Sequence, residues 1–294
     1  MRAMWRFDGG RTNARIDELQ TYYDESVFDS KTGAFKCWHH DYCLGDCSRR
    51  PRFGEFYEGQ CQHVGTRYDL LNGDDKPLRI VVTGMSYPGE RLVTMQKRWR
   101  DVVLTSGLRR RVKPRTRTPH AIGTTLALKH ILLGAESLDK HNWHSWNDEF
   151  LGTVGNPHDH IFNMCAWVNF LLCSGTAANG SSEVAEHPVL RKCFDHYVET
   201  LRRLDPNLVI FEAKGWFGRC LKDRDWVGCW KPLQSFPETL GRFTHAGLAL
   251  DFVACSFCHP SVRNADNWSR EPLQPYFENV VQPTLDQALN ELGL

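Results

Sequence analysis

The chain has 294 residues and is 41% hydrophobic, 24% charged and 12% aromatic, the composition of an ordinary folded domain. Its formal charge is +1, so contact with nucleic acid must rest on a local basic patch and not on the field of the whole molecule. No run of 18 apolar residues occurs and the first twenty residues hold no apolar leader, so the expectation is a cytoplasmic monomer away from the membrane.

Residues 14–27 read as a helix, and residues 31–76 as a loop-rich stretch with Gly, Pro, Cys and His interleaved. "LRIVVTG" (78–84) then has the apolar, β-branched character of a buried strand ending in a glycine turn. A basic insertion follows at about 91–117, with Lys and Arg running from Lys97 to Arg117 around Trp99. Ile122 to Leu133 has helical spacing, "MCAWVNFLL" (164–172) is a second buried strand, and 189–204 is a helix. In that helix Phe194, Tyr197, Val198, Leu201 and Leu204 form one apolar stripe, and Pro206 marks the stop. "NLVIF" (207–211) is a third strand, a short helix is expected at 213–222, and "LDFVACSF" is a fourth strand. A last helix covers about 272–292, kinked at Pro283.

Short apolar strands separated by helices predict an α/β fold: a three-layer αβα sandwich around a central, mainly parallel four-stranded sheet. The expected division is a loop-rich, cysteine-containing N-terminal extension over 1–76 and an α/β domain over 77–294. Eleven cysteines without an export signal argue against a disulfide framework. Cys165, in "FNMCAWVNF", reads as a buried small hydrophobe.

In parallel sheets, chemistry gathers in the loops leaving the carboxyl ends of the strands, and the unusual motifs stand there. "GMSYPGE" (84–90) follows the first strand, its glycines and Pro88 allowing backbone N–H groups to point into a cleft. Asn169 closes the second, and a carboxamide can read the edge of a planar base through one acceptor and two donors. "HPS" (259–261) follows the fourth. Each is weak alone: a Gly/Pro turn, a satisfied core amide and a structural His are the ordinary readings.

As an ordered set, these motifs resemble the uracil-DNA glycosylase superfamily, and within it the iron–sulfur-containing branch (families 4 and 5). That branch carries a G-E-A-P-G-type loop, a strand-terminal Asn and an H-P-S or H-P-A loop. "TPHAIGTTLALKHIL" is similar to the family's R-P-F-x-G-x-A-G segment. The run from "WVNFLLC" through "KCFDHYVETLRRLDPNLVIF" is similar to its N-x-V-K-C … C … L-x-P pattern. The resemblance covers about residues 61–270.

The resemblance implies a [4Fe–4S] cluster held by Cys47, Cys61, Cys173 and Cys193, with Cys43 or Cys37 as substitutes for Cys47. The rival reading is zinc on Cys37, Cys43, Cys47 and Cys61, with His39 or His40. Two positions depart from the family pattern: Met85 stands where family 4 has Glu, and His120 where the family has Phe. The nearest carboxylate to the first loop is Glu90.

The implied activity is a DNA glycosylase, which extrudes a nucleotide and hydrolyses the base–sugar bond to leave an abasic site. His259 stabilises the leaving base, Asn169 reads its edge, and Glu90 orients water or balances the cationic sugar. Gly84, Met85, Ser86 and His120 line the base pocket, and Ser261 with Arg263 binds a flanking phosphate. Arg109, Arg110, Arg111 and Trp268 contact DNA. The base is uracil or a modified cytosine of phage DNA, hydroxymethylated or glucosylated, of the kind that some superfamily members remove in antiviral defence. The alternatives are a non-catalytic DNA-binding module of the same fold, covalent capture of the sugar, and an Fe–S structural protein.

Overall fold

A computed structural model describes residues 5–29, 31–49, 53–84, 90–105, 119–134, 151, 158, 160–177, 182–183, 187–212, 229–260, 262, 264–269 and 275–294. Its framework is one seven-stranded sheet. In chain order the strands are β1 (His63–Val64), β2 (Ile80–Gly84), β3 (Cys165–Asn169), β4 (Leu208–Phe211), β5 (Trp230–Pro232), β6 (Leu240–His245) and β7 (Leu250–Ser256). Their spatial order is β5-β6-β7-β4-β2-β3-β1. The four expected strands β2, β3, β4 and β7 are mutually parallel and central, whereas β1, β5 and β6 pair antiparallel at the margins.

Seven strands instead of four corrects the sequence expectation. A two-residue strand leaves no periodic trace, which hid β1. In β6 the polar positions face out, with Arg242 paired to Asp251 of β7 at 2.6 Å, so "LGRFTH" lacks the continuous apolar run of a central strand.

The described helices are α1 (Gly9–Ser26), α2 (His40–Ser48), α3 (Met95–Trp99), α4 (Pro119–Leu133), α5 (His187–Leu204) and α6 (Gln282–Glu291). α1 starts earlier than its apolar pattern suggests because the Asp8 carboxylate caps the Arg11 N–H at 3.0 Å. Pro283 lies in the first turn of α6, directly after a π-helical turn at Phe277–Val281, so the expected irregularity is present. The short helix expected at 213–222 lies outside the described residues.

Alternation along the central strands divides the core in two. Val81, Val168, Val209, Phe211 and Ala254 pack with Leu19 and Tyr23 of α1 and Tyr197 and Leu201 of α5. Ile80, Val82, Ile210, Val253 and Cys255 pack with Leu126 and Ile131 of α4 and Leu285 and Leu289 of α6. The central strands are thus apolar on both sides, which is why they read as continuous hydrophobic runs. The stretch expected as a loop-rich extension is more ordered than that: it supplies α2 and also β1, which pairs with β3.

The chain runs from β2 through α4 to β3 on one side, then returns through α5 to β4 on the other side of β2. This reversal makes a topological switch point between β2 and β4, and the carboxyl ends of strands at such a point are the general location of ligand sites in parallel sheets.

Candidate active site at the carboxyl rim of the sheet

Gly84 ends β2 and is paired in register with Asn169, which ends β3. A methyl group on Gly84 would stand 3.1 Å from Asn169 Oδ1 and 3.3 Å from His120 Cε1, so glycine lets the three groups crowd together. Asn169 is fixed through its backbone: its N–H donates to Gln62 Oε1 at 2.6 Å, and Gln62 Nε2 donates to its carbonyl at 2.9 Å. Both the Gln62 side chain and this clamp are buried, and the Asn169 carboxamide makes no hydrogen bond among the described residues.

His120, near the start of α4, stands edge-on to Trp167 of β3 with ring centroids 4.8 Å apart. Its ring also lies 4.7 Å from that of His259, in the loop after β7. The rim therefore gathers Gly84, Asn169, His120 and His259 from four separate stretches of chain. Burial, and after it the neighbouring His120, hold the His259 imidazole below its ordinary pKa, with Glu212 acting in the opposite sense. His259 is accordingly neutral at pH 7, a state that can donate one hydrogen bond without carrying charge.

A net of hydrogen bonds holds the His259 loop. Trp268 Nε1 donates to the Cys258 carbonyl at 2.8 Å, Ser269 Oγ to the Pro260 carbonyl at 2.9 Å, and Asn267 Nδ2 to the Val262 carbonyl at 2.7 Å. Trp268 is fully buried against Phe257 and Phe277. It anchors the loop from within and is not the DNA contact, wedging or lining the groove, expected of it under the glycosylase resemblance. Gly123 gives Pro260 its seat on α4, because a Cβ there would lie 2.5 Å from the proline Cβ.

Glu90 is not part of this group. It is half exposed and paired with Lys97, and its carbonyl accepts from Gln60 at 2.9 Å. The carboxylate at the rim is instead Glu212, the residue after β4, with a wholly buried side chain. Thr124 Oγ1 lies 2.9 Å from each of its oxygens. His120 Nε2 abuts Glu212 Oε2 without hydrogen-bond directionality, a contact that is an ion pair only when the imidazole is protonated. Sequence reasoning missed Glu212 because a Glu opening a loop after "NLVIF" is ordinary, and only the three-dimensional partner gives it meaning. Gln62 was missed for the same reason.

Met85, Ser86, Ser261, Arg263, Arg109, Arg110 and Arg111 lie outside the described residues. In the described part of the basic insertion, several cations have partners within the protein. Lys97 pairs with Glu90 and Asp101, Arg91 with Glu58, and buried Arg98 donates to the Cys61 carbonyl.

A second concentration of reactive groups lies on the α5 side of the sheet. Cys43 and Cys47 are one turn apart on α2, Cys173 follows β3, and Cys193 is on α5; all four are buried in one core. Cys47 Sγ is 3.6 Å from where a Gly175 Cβ would stand, and Cys37 Sγ is 3.3 Å from His196 Nε2. Burial pushes the Cys43 thiol up to about 12, and the nearby Cys37 and Cys47 push it further in the same direction. Cys173 is raised by burial first and then by Cys193, with smaller contributions from Cys43 and Cys37. Cys193, also pushed up to about 12 by burial, feels Cys43 and Cys37.

Cys61 stands apart. Its electrostatic neighbours are Arg98 and Asp24, and its backbone is tied to Val93 at 2.8 Å. Cys37, Cys43, Cys173 and Cys193 are thus electrostatic neighbours of one another, with Cys47 beside Cys43, whereas Cys61 of the expected set has no cysteine among its own neighbours. Among the described residues no three His, Cys, Asp or Glu side chains converge closely enough to hold a single metal ion. A cubane cluster is larger and holds its ligands farther apart.

Among the described residues no helix is long and apolar enough to cross a membrane. The sequence matches no known family model and no curated protein.

Proposed function

We propose that the protein is a DNA glycosylase of uracil-DNA glycosylase-like architecture, a three-layer αβα sandwich whose rim receives an extruded nucleotide. The single observation that carries this reading is the meeting of Gly84, Asn169, His120 and His259 at the switch point of the sheet.

Cleavage of a base–deoxyribose bond makes the sugar cationic and the departing base negative. Fixed donors at the growing negative charge are worth most where water is excluded and reorganisation is small. His259 meets both conditions: it is neutral, largely buried, and held by a loop whose carbonyls are tied to Trp268, Ser269 and Asn267. It donates to the base oxygen. Asn169, clamped through its backbone by Gln62, presents its carboxamide to the base edge. His120 and Trp167 face the ring, and Gly84 admits it. The basic segment holding Arg109, Arg110 and Arg111 supplies phosphate contacts, and the substrate is a uracil-like or modified cytosine base in DNA.

Cys43, Cys173 and Cys193, with Cys37 or Cys47, would hold a [4Fe–4S] cluster, which would fasten α2, the segment after β3 and α5 to one another as a structural bolt. Their buried thiols are held protonated by desolvation, so a bound cation would supply the charge that thiolates need.

The deciding experiment is single-turnover excision from oligonucleotides carrying uracil, cytosine or 5-hydroxymethylcytosine, scored as abasic sites. His259→Ala is expected to slow excision about 10²–10³-fold, the usual loss on removing one such donor. DNA binding without abasic sites for any base would favour the non-catalytic module instead.

A further inference from the structure

Glu212 has no task in the excision step as set out above, although its side chain is wholly buried at the rim. Burying an ionised carboxylate is unfavourable unless donors or a cation face it. Thr124 offers one hydroxyl hydrogen, within reach of both carboxylate oxygens and of the His120 carbonyl. The other partner is His120, whose side chain is 22% exposed toward the site and whose Nε2 is set against the carboxylate. With Nε2 buried there, Nδ1 is the ring nitrogen left for a substrate. The groups facing this pair are His259 from the loop after β7, Cys165 of β3, whose thiol senses Glu212, and the neutral Trp167, Asn169 and Gly84.

We propose that the His120–Glu212 pair donates a proton through His120 to the departing base, so that the site takes a base needing protonation to leave, a 4-aminopyrimidine of the cytosine class, in preference to uracil. This rests on the glycosylase reading. Uracil departs as a weakly basic anion for which neutral donors suffice. A cytosine-type anion is a far stronger base and leaves as the neutral molecule once protonated. The neighbouring Asn169 carboxamide matches such a base, its oxygen accepting from the exocyclic amine and its nitrogen donating to the ring nitrogen.

The step balances without any redox partner. The C1′–N1 bond breaks with its electron pair going to the base, whose O2 takes the His120 Nδ1 proton. Water adds its oxygen to C1′, and the proton that it releases returns to the His120–Glu212 pair. Glu212 touches neither sugar nor base and is a positioning residue.

The test is a leaving-group series on the full chain: cytosine, 5-hydroxymethylcytosine, uracil and 5-fluorouracil in otherwise identical DNA, measured under single turnover. Glu212→Gln is expected to slow excision of the cytosine-class bases about 10²–10³-fold, within the usual range for a general acid. It is expected to slow 5-fluorouracil, the best leaving group, by less than about tenfold. His120→Asn, which leaves Glu212 a donor, is expected to give the same graded loss, and the double variant no more than either alone, as for groups acting as a unit. An equal loss for every base would mark Glu212 as merely structural and overturn the proposal. So would wild-type protein that removes uracil and leaves the cytosine class untouched, an outcome that keeps the glycosylase reading. Wild-type protein that removes none of the four defeats that reading and this one together.

Discussion

His63 shows how burial alone gives one residue a measurable effect. It is fully enclosed, its Nε2 donates to the Phe162 carbonyl at 2.7 Å, and Nδ1 has no hydrogen bond among the described residues. Desolvation lowers its pKa from 6.5 to about 4, so the folded protein keeps it neutral. The unfolded chain takes up the proton first as pH falls, so stability is full above pH 6.5 and declines toward pH 4. The contribution is at most about 3 kcal/mol, from the size of the shift. His63→Phe is expected to flatten the dependence of Tm on pH between those limits, as measured by thermal melts. At the same scale, Asn169 and His259 were legible in the sequence because an amide and a turn-bound imidazole interrupt apolar runs. Glu212 and Gln62 were not, since their chemistry exists only opposite His120 and the Asn169 backbone.

At the scale of elements, the site depends on how closely the loop after β7 approaches α4. Pro260 lies against Gly123, one turn beyond His120, so the helix sets the height of His259 in the rim. Gly123→Ala adds a methyl group where only 2.5 Å separates it from Pro260. Backbone-anchored overpacking of this kind costs about 1–3 kcal/mol. The loop, rather than the helix, is expected to yield: excision should fall at least about tenfold while circular dichroism keeps the wild-type helix signal. The four central strands and α5 were readable because burial on both faces or on one stripe leaves a period in the sequence. β1, β5 and β6 were not, being too short or too polar, and α2 was hidden in a stretch rich in Gly, Pro and Cys.

At the scale of the molecule, the sheet separates two centres. The α5 side holds Cys43, Cys47, Cys173 and Cys193, and the carboxyl rim holds His120 and His259, with the central strands running between the two cores. The cysteines join segments far apart in sequence, from α2 to α5, so their loss bears on assembly more than on the rim. Cys173→Ser and Cys193→Ser are each expected to abolish the broad absorbance near 400 nm of an iron–sulfur protein purified without oxygen. Cys61→Ser is expected to retain it. Loss of colour in Cys61→Ser, or its absence from the wild type, would overturn the revised ligand set.

What the sequence determined by itself was the α/β class, the central strands, the principal helices, and the placing of Asn169 and His259 at strand ends. Hydrophobic periodicity and turn chemistry are local, so they survive in one dimension. The tertiary structure decided which carboxylate faces the rim, that Trp268 is an anchor and not a wedge, and which cysteines are neighbours. Those properties belong to pairs of residues brought together across strands and helices, and no local pattern encodes the partner.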